Sequence, residues 1–140
     1  MELERFLQAQ SYQYEIALKE IQNGRKQSHW MWYIFPQLRG LGQSSMAWEY
    51  GIEDLDEAKA YLAHPILGVR LLEICSAALY TSSNNVVEVF GFPDNLKLKS
   101  SMTLFEAADP QQPIFGQILM KFFNGERDSA TLGILHENKR

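Results

Sequence analysis

Cysteine is nearly missing from this chain: Cys75 is the single thiol in 140 residues, so no disulfide can close within it. It sits in the apolar run L-L-E-I-C-S-A-A-L, where a cysteine behaves as a small buried hydrophobe. Positive charge is also scarce. Thirteen Lys and Arg against 17 Asp and Glu leave a formal charge of −4 and a pI near 5.4. A face for duplex nucleic acid needs the opposite balance, so no duplex partner is expected. Local basic steps survive only at Arg25-Lys26 and at Lys97/Lys99. No apolar run approaches the roughly 20 residues that span a bilayer. The start M-E-L-E-R-F is acidic, where a signal peptide would be basic and then apolar. The expected setting is cytoplasmic, with no membrane partner. His29, His64 and His136 are isolated and no cysteine joins them at ligand spacing, which argues against a zinc site. Walker loops, G-x-G-x-x-G and a Ser-His-Asp order are all absent, and no cofactor is expected.

What is present reads as an ordinary globular domain. The apolar fraction is 46% and the charged fraction 21%, both typical of such chains. Without repeats, low-complexity tracts or linkers, residues 1–140 are expected to form a single domain with a polar tail from about residue 136. Helical periodicity dominates. Tyr14, Ala17, Leu18 and Ile21 recur at i, i+3, i+4, i+7, and Gly24 suits the position just past such a helix. Asp54 with Glu57 three residues on reads as a capping box, for a helix running to about Ala63. Pro65 suits the start of the next helix, whose stripe is Leu67, Leu71, Ile74 and Ala78. Asn85 caps a short helix through Phe90, closed by Gly91. Pro113 opens another, with Phe115, Ile118, Leu119 and Phe122 inward and Gly125 ending it, and Asp128 caps a last one ending near Leu135. The runs Trp30 to Phe35 and Leu96 to Phe105 are ambiguous by period and are assigned to helix. The fold class expected is mainly α: one compact domain of about seven helices with irregular loops.

Three segments carry candidate chemistry. Ser28 to Gln37 reads S-H-W-M-W-Y-I-F-P-Q, placing His29, Trp30, Trp32 and Gln37 beside Arg25-Lys26. Aromatic faces with a few fixed polar groups suit a pocket for a planar polar ligand. The competing reading is plain core, since large apolar side chains are usually buried. Phe90 to Met102 reads F-G-F-P-D-N-L-K-L-K-S-S-M. Here Asp94 is a candidate cap, and Lys97, Lys99, Ser100 and Ser101 offer cations and hydroxyls that, with helix-start amides, suit a phosphate. The competing reading is a capped helix with solvated lysines. A lysine in an apolar pocket is also a candidate nucleophile, because burial frees the amine. The third segment, E-R-F-L-Q-A-Q at Glu4 to Gln10, reads locally as an amphipathic turn with Phe6 and Ala9 inward and Glu4, Gln8 and Gln10 solvated.

Taken together, E-R-F-L-Q-A-Q, G-R-K-Q-S-H-W-M-W-Y-I-F-P-Q, Y-L-A-H-P-I-L-G-V-R-L and F-G-F-P-D-N-L-K-L-K-S-S-M-T-L-F resemble, in that order and over nearly the whole length, an uncharacterised bacterial family, domain of unknown function 1810. That resemblance implies no activity. E-R-F-L-Q-A-Q is also similar, more distantly, to the E-H-Y-F-Q-A-Q pattern of the NADAR family, the YbiA-like N-glycosidases, with Pro93 standing where that family is glycine-rich. This second resemblance implies a YbiA-like fold and action on ADP-ribose-type or riboflavin-pathway N-glycosidic bonds. It makes Glu4 and Asp94 the acids, Lys97 or Lys99 the amine that traps the ribose, and Trp30 or Trp32 the stacking surface.

The expected site is therefore one cleft lined by all three segments. Glu4, Asp94 and Lys97 are its catalytic candidates, and Gln8, His29, Trp30, Trp32, Gln37, Lys99, Ser100 and Ser101 its ligand-binding ones. The expected partner is a small nucleotide-type ligand, and the expected function is binding, with N-glycosidic hydrolysis as its reaction, of an ADP-ribose-type nucleotide. The alternative is a non-catalytic interaction module that uses the aromatic segment 29–37. Convergence of Glu4, Trp30, Asp94 and Lys97 in one concavity favours the first; an exposed aromatic patch favours the second.

Overall fold

Some helix ends in this protein are closed by a nearby side chain and others by backbone hydrogen bonds alone, both answering the groups that a helix end leaves unpaired. The computed structural model describes residues 2–138. Among them are ten helices: α1 Glu4–Gln10, α2 Gln13–Gln22, α3 Met31–Ile34, α4 Ser45–Glu49, α5 Leu55–Ala63, α6 Leu67–Leu79, α7 Val86–Phe90, α8 Asp94–Ala108, α9 Ile114–Phe123 and α10 Ser129–Asn138. The β structure among these residues is one bridge between Leu38 and Ile52. The mainly α class is as expected. The one-turn α3 falls inside the run Trp30 to Phe35 assigned to helix, whereas the one-turn α4 lies in what the sequence offers as loop. α4 has its own cap, with Ser44 Oγ accepting from Ala47 N at 3.1 Å.

Several ends form as their local chemistry predicts. Asp54 Oδ1 accepts from Glu57 N at 2.9 Å, and Asn85 Oδ1 accepts from Val87 N and Glu88 N. Asp128 Oδ2 accepts from Thr131 N at 3.0 Å. Gly24 follows α2 with φ +83°, a conformation that costs a glycine nothing. Other ends differ. Glu57 reaches back to Glu53 N rather than to Asp54, so the capping box is incomplete. α6 begins two residues after Pro65, and the cap is His64, whose Nδ1 accepts from Ile66 N and Leu67 N. Asp94 is not a cap: Pro93 holds that position and Asp94 lies in the first turn. α10 runs past Leu135 to Asn138, so residues 136–138 are helix rather than tail. Met1, Lys139 and Arg140 lie outside the described residues.

α8 is the central element, packed against α5, α9, α10, α7 and α3. Its sequence is too polar for a core helix, yet Ser100 through Phe105 are all buried. Two of the hydroxyls turn back on their own helix, Ser100 Oγ donating to Leu96 O and Thr103 Oγ1 to Lys99 O. Around α8 runs an aromatic chain: Phe6 to Tyr61 at 5.2 Å, Tyr61 to Phe105 at 5.4 Å, Phe105 to Phe115 at 5.9 Å. Edge and tilted contacts of this kind add to simple area burial. Cys75 is buried beside Met102, and that burial pushes its thiol far above the ordinary range. Gln10, expected at the surface, is instead buried and donates from Nε2 to Tyr33 O and to the Tyr61 hydroxyl. The α5–α6 crossing needs glycine at position 68, where a Cβ would meet Leu62 O at 2.0 Å. Among the described residues no single helix is long and apolar enough to cross a membrane.

Candidate functional site

The segment R-K-Q-S-H-W is organised by an acid the sequence does not advertise. The Glu20 carboxylate, near the end of α2, accepts from Gln27 N at 2.8 Å, Ser28 N at 3.0 Å, Ser28 Oγ at 2.5 Å and Trp30 Nε1 at 2.8 Å. Burial alone would raise its pKa, but these hydrogen bonds to the charged form outweigh burial and hold it below the ordinary value. Lys26 N donates to Val89 O at 2.7 Å, which pins the same loop to α7. The loop thereby carries Lys26 to the start of α8. There Lys26 Nζ pairs with Asp94 Oδ2 at 2.8 Å, and Lys97 Nζ pairs with Asp94 Oδ1 at 3.2 Å. Each ammonium also lies over an indole, Lys26 over Trp30 at 4.9 Å and Lys97 over Trp32 at 5.2 Å.

Most of the aromatic segment is core. Trp30 has no exposed surface, Met31, Tyr33, Ile34 and Phe35 are buried, and His29 is exposed. Trp30 is therefore not a free stacking face: one side carries Lys26 and its N–H is spent on Glu20. Trp32 is half-buried beneath Lys97 and is the only partly open ring of the segment.

Past Pro36 the chain bends into the loop that walls the cleft. Gln37, Leu41 and Gly42 form one side, Pro93, Leu96, Lys97 and Ser100 of the α8 start form the second, and Asp128 and Ala130 close it, enclosing about 290 Å³. Asp94, Lys97 and Ser100 stand three apart, so they share one face of α8. Ser100 Oγ lies 3.2 Å from Asp128 Oδ2, which also accepts from Thr131 N and Thr131 Oγ1. Thr131 N and Thr131 Oγ1 thus converge on one oxygen of a carboxylate that lines the cleft, and the Ser100 hydroxyl, whose single proton is shared with Leu96 O, lies beside it. Gln37 Oε1 is buried and has no hydrogen-bond partner. An unpartnered buried carbonyl of this kind costs about 1–3 kcal/mol until something donates to it.

Of the residues nominated from sequence, Gln37, Lys97 and Ser100 meet in this cleft, and Asp94 and Trp32 join through Lys97. Glu4 and Gln8 do not join: both are exposed on α1, which packs against α2 and α3. The inward charge of that helix is Arg5, paired with the buried Glu57 at 2.9 Å. Lys99 points elsewhere, to Glu126 at 3.2 Å and to the Phe123 ring. Ser101 is buried in the core and Ser100 alone faces the cleft. The reading from sequence missed Glu20, Lys26 and, as a cleft residue, Asp128. The basic step Arg25-Lys26 pointed toward the second of these. Nothing local could pair Asp128 with Ser100, 28 residues away. A second hollow of about 600 Å³, lined by Asn23, Gly24, Arg25, Lys26, Val87, Glu88 and Gly91, holds none of the nominated side chains. Among the described residues no cluster of His, Cys, Asp and Glu could hold a metal ion.

The arrangement offers an ammonium, a carboxylate, a hydroxyl and an amide oxygen above an apolar floor of Leu41, Pro93 and Leu96. Residues 1–135 match a family model described as a protein of unknown function, DUF1810. The crystal structure of the conserved hypothetical protein Rv1873 from Mycobacterium tuberculosis matches with a TM-score of 0.95 and 45% sequence identity, over 96% of this chain and 96% of that one. No curated protein matches. Neither match supports the likeness to the NADAR family.

Proposed function

The chain belongs to the DUF1810 family, and we propose that its cleft binds the ribosyl part of an ADP-ribose-type nucleotide. The observation that carries this reading is one cleft whose lining brings together Gln37, Lys97, Ser100 and Asp128. The polar side chains of that lining suit the hydroxyls of a sugar, and Leu41, Pro93 and Leu96 beside them suit its C–H face. The volume of about 290 Å³ lies at the small end of the roughly 300–1,000 Å³ common for ligand pockets. A sugar-sized group fills it, and the remainder of a nucleotide lies outside, near the exposed Phe92 that precedes Pro93.

N-glycosidic hydrolysis is the reaction that accompanies this reading. Water adds to the anomeric carbon, the C–N bond breaks, and a carboxylate stabilises the charge that develops on the sugar. Asp128 is better placed for that than Glu4, which lies outside the cleft, or Asp94, whose two oxygens are each held by a lysine. The Lys97 amine, held on Asp94, acts as a charge before it acts as a nucleophile. The alternative reading, a protein-interaction module built on segment 29–37, lacks a surface, because only His29 is exposed and Trp32 partly so among its rings.

Calorimetric titration with ADP-ribose tests the proposal on wild type, Gln37→Leu and Lys97→Ala. Wild type binds, and each variant binds about tenfold or more weakly, the worth of one good hydrogen bond at about 1.5 kcal/mol. Absence of heat with wild type removes the nucleotide reading.

A further inference from the structure

We infer that Lys26 and Lys97, gathered about Asp94, form a phosphoryl-binding subsite at the edge of the cleft, with Asp94 as its resident counter-ion. This rests on the cleft being a ligand site, though not on the ligand being a nucleotide. Two ammoniums share the Asp94 carboxylate, so these three groups together carry one formal positive charge, and Asp128 lines the same cleft. The position of Lys26 is unusual for a lysine. The Lys26 side chain is only 7% exposed, and its ammonium is held by Asp94, the Trp30 face and the Ser28 carbonyl. Lys97 is more open and lines the cleft, so it is the one that meets a ligand. An ammonium carries three donors, and the hydrogen bond of Lys97 to Asp94 uses one of them.

The helix-start amides are not the source of this affinity. Asn95 N and Leu96 N are spent on Gly91 O and Pro93 O, and Asp94 in the first turn opposes an anion there. The charge comes from the two side chains. The cluster also sits between the two hollows: Lys26 lines the larger and Lys97 the smaller, while the turn Gly91–Phe92–Pro93 divides them, Gly91 facing one and Pro93 the other. A phosphoryl group at Lys97 thus lies beside the sugar position and on the way to the second hollow, whose lining holds Arg25 together with Glu88.

Because Asp94 competes with the incoming anion, Asp94→Asn should bind phosphate more tightly than wild type. At constant ionic strength, with chloride as the balancing anion, titration of inorganic phosphate followed by amide NMR shifts should give an affinity about three- to tenfold higher for Asp94→Asn, as expected for removing one like charge a few ångströms away in a mostly aqueous dielectric. Phosphate should also raise the melting temperature of Asp94→Asn more than that of wild type. Lys97→Met should abolish the shifts at residues 96–100 in either background, and Lys99→Met should leave them unchanged. Equal affinity of wild type and Asp94→Asn, or binding that survives Lys97→Met, overturns the subsite. If Asp94→Asn does not fold, Lys97→Met in the wild-type background decides alone. The two proposals fail separately. Phosphate bound at Lys97 without ADP-ribose binding sinks only the nucleotide reading. ADP-ribose binding indifferent to Lys97→Met and Asp94→Asn sinks the subsite and removes Lys97 from the nucleotide site, while the nucleotide reading itself then stands on wild-type binding and its loss in Gln37→Leu.

Discussion

Replacing Glu20 with alanine should destabilise the protein well beyond an ordinary surface change, and the geometry of its carboxylate gives the reason. The carboxylate receives four hydrogen bonds, three from the Gln27–Ser28 stretch and one from the indole of Trp30. The donors in Gln27 and Ser28 have water within reach. The Trp30 ring has none, since that residue is fully buried. Losing its acceptor leaves one donor stranded, at about 1–3 kcal/mol, and the loop bonds add roughly 1 kcal/mol, for a total of about 2–4 kcal/mol. Urea unfolding with an unchanged slope would measure this, and a fall in melting temperature of roughly 3 °C per kcal/mol should accompany it. Glu20→Gln keeps an acceptor oxygen and should lose only about 1 kcal/mol. The pH dependence gives an independent check. The folded-state pKa of Glu20 is depressed, so its charge contributes stability that is present above the unfolded carboxylate range and lost as pH falls through the folded value. The gap between wild type and Glu20→Gln should therefore close on acidification. A loss below about 1 kcal/mol for Glu20→Ala, or a gap that persists in acid, would mean that the loop holds itself and that Glu20 does not position Lys26 and Trp30.

Three further outcomes follow from the same geometry. Trp30→Ala should lower stability by about 3–5 kcal/mol as a core truncation, while Trp32→Ala should disturb ADP-ribose binding more than stability; calorimetry and urea unfolding on both variants check the order, and the reverse order would return the stacking role to Trp30. Glu57→Gln should cost about 3 kcal/mol by stranding the Arg5 charge. Burial raises the Glu57 pKa, but the hydrogen bonds from Arg5 and Glu53 N outweigh it and depress the net value, so its contribution is full at neutral pH and fades as pH drops through the folded value; unfolding curves at neutral and acid pH report both. Gly68→Ala drives a methyl to 2.0 Å from Leu62 O and should cost about 3 kcal/mol or more, read as a lower urea midpoint.

The parts of the fold legible in the sequence are those decided within a few residues. Asp54, Asn85 and Asp128 announce helix starts because their side chains bond to amides two or three residues away. Gly24 announces an end because few other residues accept a positive φ. α3 and α4 were harder, being single turns without room for a periodic stripe. Phe6, Leu71 and Ile118 were legible as core because a repeating apolar stripe leaves one inward face. Gln10 was not: its polar amide pointed outward by type, and it is buried only because Tyr33 O and the Tyr61 hydroxyl, brought from distant parts of the chain, receive it.

The candidate site divides the same way. Sequence by itself determined the family, the helical class and the pieces of chemistry: a basic step, an aromatic run, and Asp94 with Lys97 and Ser100 on one helical face. It placed both Lys97 and Lys99 in one cleft, although two residues along a helix turn the side chain through about 200°. Which lysine faces the cleft was decided by how α8 rotates to bury Leu98, Met102 and Phe105, a choice set by its neighbours and not by its own pattern. The same packing brought Lys26 to Asp94 across 68 residues of chain and Asp128 to Ser100 across 28. It left Glu4 in solvent and turned Arg5 inward. Contacts at such separations depend on every helix between them, and only the tertiary structure fixes them.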